Sequence, residues 1–149
     1  MMDFQSLVAT ILNDRRLTDD GADKKQLIAE YGTDNKPEAI YLLADKYGWR
    51  QLYDLLVQIL RDDQQAEHWE TAQIVLFYAA GDHKHKMRQC PMPADSTIAL
   101  LYHRFPNGID DGDRIWAIVC DLKGVNNWSD YDPMQDTDVL GELETLKCA

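Results

Sequence analysis

The chain has 149 residues, the size of one ordinary domain, and a globule of that length buries roughly 70% of its unfolded surface without disulfide or metal staples. Its 26 acidic side chains against 15 basic ones leave a formal charge of -11, a field that repels phosphate backbones and argues against direct nucleic-acid binding. Cys90, Cys120 and Cys148 are an odd count without zinc-finger spacing, the pattern of reduced thiols in the cytoplasm.

The opening MMDFQSLVATILNDRR has no basic leader before an apolar stretch of signal-peptide length. The longest apolar run, IVLFYAA from Ile74 to Ala80, falls far short of the roughly 18 residues that a membrane helix needs, so a soluble protein without a membrane partner is expected.

Along the chain, Phe4, Leu7, Val8, Ile11 and Leu12 recur at spacings of three and four, which predicts a helix over Met2 to Arg16. Ala22 to Tyr31 reads as a second helix closed by Gly32. Pro37 suits the first turn of a third, bounded by Asn35 or Lys36, with Ile40, Leu43, Ala44 and Tyr47 as its stripe and Gly48 as its end. WRQLYDLLVQILRD follows at once with Leu52, Leu55, Leu56, Ile59 and Leu60 in helical period, so these two helices must form an angled or antiparallel pair.

Glu67 to Ala80 predicts a fifth helix with Trp69, Ala72, Val75, Leu76 and Ala79 inward and Gly81 as its stop. The basic, aperiodic DHKHKMRQCPMPADS reads as a loop. Asp95 or Ser96 can cap a sixth helix carrying Ile98, Leu101, Tyr102 and Phe105; Asp111 or Asp113 can cap a seventh carrying Ile115, Trp116, Ile118, Val119 and Leu122, closed by Gly124. A last helix over Asp138 to Lys147 presents Val139, Leu140, Leu143 and Leu146. No apolar run alternates with period two. The expected fold is therefore all-α: about eight short helices packed as successive pairs, α-solenoid-like or HEAT-like, in one domain spanning residues 1-149, although no repeat of fixed period is present.

Catalytic chemistry is hard to find in this chain. Asp82, His83, His85 and Cys90 have ligand chemistry for a transition metal, but Lys84, Lys86 and Arg88 would set cations beside the ion, so a solvated basic loop is the simpler reading and no metal or cofactor is expected. Cys90 or Cys120 with His68 or His103 would need a thiolate in reach of an imidazole, and Cys120 instead lies on an apolar helix face. The pairs Asp19/Asp20, Asp62/Asp63 and Asp110/Asp111 sit at helix boundaries, where aspartates cap N–H groups. No phosphate-loop, dinucleotide, zinc-protease, hydrolase-elbow or EF-hand pattern occurs, and the expectation is a binding protein, not an enzyme.

The acid is concentrated. From Asp110 to Glu144 the chain is dense in carboxylates against only Arg114 and Lys123, and Trp128 and Tyr131 are interleaved with them. Carboxylates steer a cationic partner while aromatic rings supply desolvated contact, which makes Asp110, Asp111, Asp113, Asp121, Trp128, Asp130, Tyr131 and Asp132 the expected partner-binding set. The competing reading folds Trp128 back between the last helices and leaves the aspartates to solvate a loop. Trp69 and Trp116 lie on apolar stripes and read as core, whereas Trp49 at a helix start fits either role.

The segments EHWETAQIVLFYAAGD, TIALLYHRFP and DRIWAIVCDLKGVNNWSDYDP together resemble immunity proteins of contact-dependent growth inhibition and related bacterial polymorphic toxin systems, over roughly Asn35 to Asp138. The likeness is one of size, acidity and helical texture. It implies a cytoplasmic toxin inhibitor that meets a cognate basic toxin domain, an RNase or DNase, and blocks its active site or its access to substrate. Two other classes stay open: a helical adaptor that binds a peptide or subunit in an inter-helix groove, and a hydrolase or metalloenzyme built on His68, His83, His85 or His103.

Overall fold

A computed structural model describes residues 3–18, 23–82, 94–106, 112–125 and 131–148. The regular elements of the described residues are all helical, with no strand among them: α1 (Phe4–Leu12), α2 (Lys24–Tyr31), α3 (Lys36–Tyr47), α4 (Trp49–Arg61), α5 (Trp69–Asp82), α6 (Ala94–Arg104), α7 (Gly112–Lys123) and α8 (Thr137–Cys148), with 3-10 turns over Arg15–Thr18, Asp63–His68 and Pro133–Gln135. The all-α expectation holds.

Local chemistry sets the element ends. Asp3 accepts from the Ser6 N–H at 2.7 Å, Asp23 from Lys25 and Gln26, and Asn35 from Glu38 at 2.9 Å, so each cap satisfies an N–H that its helix cannot. The first helix is shorter than its apolar period suggests. Asn13 turns its amide back onto the Ala9 carbonyl at 2.9 Å, and the chain tightens into a 3-10 turn that buries Leu17. Gly48 at φ 94° ends α3 and begins α4, a backbone shape that side-chain-bearing residues rarely adopt, which is why two helices can meet across one residue. Gly124 at φ 73° closes α7: its N–H reaches the Asp121 carbonyl and the Val125 N–H reaches that of Cys120, the paired bonds of a Schellman motif.

Other expected boundaries move as well. Gly81 does not stop α5, which continues to Asp82; one glycine inside a helix costs only about 1 kcal/mol, less than the packing of this element supplies. The stretch before Trp69 is a 3-10 turn because Asp62 caps it at Gln64 and the Trp69 indole N–H bonds the carbonyls of Ile59 and Asp62, at 3.0 and 3.1 Å. Asp95 lies inside the first turn of α6, not before it, and its carboxylate is turned to Lys123. The basic segment 83–93 lies outside the described residues.

Packing alternates along the chain. α1 contacts α3, α3 contacts α5 and α5 contacts α7, while α4 contacts α6 and α6 contacts α8; α3–α4, α4–α5 and α6–α7 join the two rows. One core cluster runs through them, including Val8, Leu27, Ile40, Leu56, Val75, Ile98, Leu101, Ile118 and Val139. Inside it the hydroxyls of Tyr53 and Thr97 share a buried hydrogen bond of 2.7 Å between α4 and α6.

Two surface locks hold the less buried pieces. Arg16 bridges Asp14 at 2.6 Å and Glu30 at 2.7 Å, and Tyr31 donates to Asp14 at 2.6 Å, fastening α2 beside the end of α1. The guanidinium of Arg16, and then the Tyr31 hydroxyl, hold Asp14 well below the usual carboxylate range. Arg104 donates to the Leu60 and Arg61 carbonyls at the end of α4, pairs with Asp63 at 2.7 Å, and lies over the Trp69 ring at 4.1 Å. Trp69 is therefore a structural residue, and Trp49 joins it, edge-on to Tyr41 at 5.4 Å.

Candidate binding surface

The acidic C-terminal third is organised around one lysine. Lys123 stands at the end of α7, where the helix dipole favours a cation, and its ammonium is paired with Asp95 of α6 and with Asp136 at 2.8 Å. It also lies 5.6 Å from the centre of the Tyr131 ring, whose hydroxyl donates to Asp136 at 2.6 Å. Asp136 spends its other oxygen capping α8, accepting from the Asp138 N–H at 3.1 Å and the Val139 N–H at 3.4 Å. This cluster fixes where α8 begins and how it lies on α6.

The protonation states follow from these contacts. Hydrogen bonds from Lys123 and Tyr131 hold Asp136 down to about 2. Burial pulls Lys123 down, but its bonds to Asp136 and Asp95 outweigh that and raise it. Burial, then the bond to Asp136, pushes Tyr131 up, so its hydroxyl stays a donor. At neutral pH the cluster is one cation between two carboxylates, closed on itself.

The expected contact set is divided by this arrangement. Asp121 is 6% exposed and belongs to the buried side of α7 beside Ile118 and Leu122, so it is withdrawn from the docking surface. Tyr131 packs against the core with its hydroxyl committed to Asp136, so its ring is a strut of the junction and not a free anchor. Asp132 is exposed, caps the 3-10 turn through the Met134 N–H at 2.9 Å, and keeps its place on the surface. Asp113 lies in the first turn of α7 with its side chain outside the description, and Asp110, Asp111, Trp128 and Asp130 lie outside the described residues.

What the contact set omitted is α8 itself. Val139 and Leu143 face the core, which leaves Asp138, Gly141, Glu142 and Thr145 on the outer side, one helical turn apart. Met134, 50% exposed, stands in the turn that leads into this face. Helical period would have found it, because the apolar stripe of α8 dictates which carboxylates point outward. From 110 to 149 the chain carries ten acidic residues and three basic ones, Arg114, Lys123 and Lys147. Lys123, Asp136 and Asp121 are all drawn inward, so among the described residues the exposed carboxylates of this stretch are Asp132, Asp138, Glu142 and Glu144, and Lys147 is its exposed cation.

Among the described residues no group of three or more His, Cys, Asp or Glu could hold a metal ion, and His83, His85 and Cys90 lie outside them. Cys120 is half-buried, and burial pushes its thiol up, away from the reactive thiolate. Among the described residues no helix is long and apolar enough to cross a membrane. No family model, curated protein or solved structure matches the chain.

Proposed function

We propose that this chain is a binding protein for a basic protein partner and that its contact surface is the outer face of α8 with the turn before it: Asp132, Met134, Asp138 and Glu142. The observation that supports the reading is the pairing of Lys123 with Asp95 and Asp136, while Asp132, Asp138 and Glu142 are exposed and, among the described residues, form no salt bridge. Clustered exposed carboxylates steer a cationic surface at long range, and the apolar Met134 side chain supplies area that desolvates on contact.

In its finer form the proposal is an immunity protein, which neutralises a cognate toxin domain, an RNase or DNase with a basic cleft. The resemblance in size, acidity and helical texture supports this form, and so does the chemistry: a nuclease presents cations where it grips phosphate, and a rigid acidic face competes for them. The test is the gene beside this one. Its secreted toxin domain, co-expressed in a sensitive bacterium, is expected to arrest growth alone and to be tolerated with this chain. Arrest that persists with the chain present, or a neighbouring locus without a toxin, overturns the immunity form.

A further inference from the structure

A second surface lies at the opposite end of the sequence. α1 packs on α3, and between α1 and α4 runs a groove of about 340 Å³ whose floor is aliphatic, with Ala9, Leu12 and Leu55. It continues, through the shared Gln5, Leu55 and Gln58, into a stretch of about 380 Å³ that is flanked by Asp3, Gln51 and Asp54. Among the described residues no lysine or arginine lines either part. Gln5, Gln51 and Gln58 are exposed, and among the described residues their amides carry no hydrogen bond.

We infer that this groove takes an extended segment of a partner protein in which aliphatic residues lie next to a lysine or arginine. The aliphatic floor accepts the apolar side chains. A glutamine amide both donates and accepts, so the walls can pair with the N–H and C=O of an extended main chain as a sheet edge would. Asp3, held in place by its bond to the Ser6 N–H at 2.7 Å, and Asp54 give one end a negative charge that selects a cation there. The length fits: from Asp3 to Leu12 the helix rises about 14 Å, the reach of about four extended residues. The site is independent of the α8 face and stands or falls separately from it.

The test is a titration of the isotope-labelled full chain, followed by amide NMR, with the capped peptide Val-Leu-Val-Lys-Arg and its counterpart Val-Leu-Val-Glu-Glu. The basic peptide is expected to shift the amides of Ser6, Ala9, Leu55 and Gln58 and the acidic one to leave them unmoved. Leu55→Arg and the near-isosteric Asp54→Asn should each weaken the basic peptide, the former by roughly tenfold or more; the second variant keeps the test valid if the first disturbs folding. Equal shifts with both peptides overturn the inference, as do no shifts at these amides. Shifts confined to Asp138 and Glu142 also overturn it while leaving the α8 face intact.

Discussion

Gln73 gives the sharpest test of the packing. It is fully buried in α5, and among the described residues neither its side-chain nitrogen nor its oxygen has a hydrogen-bond partner. A buried polar group without a partner costs about 1–3 kcal/mol, whereas replacing it by an apolar group of the same shape removes that cost. Methionine matches glutamine in length and flexibility, so Gln73→Met should stabilise the fold by about 1–3 kcal/mol, against the usual sign for a core substitution. Unfolding entropy of about 2.1 cal/mol/K per residue, over 149 residues, is about 0.3 kcal/mol/K, so a gain of 2 kcal/mol raises Tm by about 6 °C. Urea unfolding followed by circular dichroism, with calorimetry for Tm, reads both quantities. If Gln73→Met instead lost 1 kcal/mol or more, the amide would have to be satisfied in the folded protein and the reasoning would be wrong.

Three further outcomes follow from the locks. Lys123→Met leaves Asp95 and Asp136 facing each other without their cation and should cost about 1–3 kcal/mol in urea unfolding, less than a fully buried pair because the lysine is partly exposed. Asp136 is depressed in the folded state, so its contribution is complete above the ordinary carboxylate range and is lost as pH falls towards about 2; Asp136→Asn should flatten the acid limb of the stability curve between about pH 4 and 2, measured by urea midpoints. Arg104→Lys keeps the charge but loses the planar fork that reaches Leu60, Arg61 and Asp63 while stacked on Trp69, so it should still cost about 1–2 kcal/mol and expose Trp69 to a fluorescence quencher.

The helices were legible where apolar period and end chemistry agreed. Asn35 and Pro37 at the start of α3, Gly48 between α3 and α4, and Gly124 after α7 each mark a boundary that the local backbone requires. The failures have a common cause, which is that tertiary contacts reassign a residue's job. Asp95 has the chemistry of a cap but is recruited by a lysine from α7, distant in sequence. Asp121 sits beside Leu122, and only the packing of α7 shows that it faces inward. Tyr131 looks free in a polar segment, yet Asp136 draws it into the junction. Charge concentration was visible from composition, but which carboxylates are exposed depends on Lys123, whose partners lie on α6 and at the start of α8.

The proposed contact surface is the outer face of α8, and its most direct test is the rate at which the chain associates, across salt, with the toxin domain that the immunity proposal expects beside it. The wild type should associate fast at about 50 mM salt and slow by tenfold or more at about 500 mM, as screened steering requires. The combined Asp132→Lys, Asp138→Lys and Glu142→Lys variant should be slow at low salt and nearly indifferent to it. Association of that variant at the wild-type rate, with the wild-type salt dependence, would contradict the account.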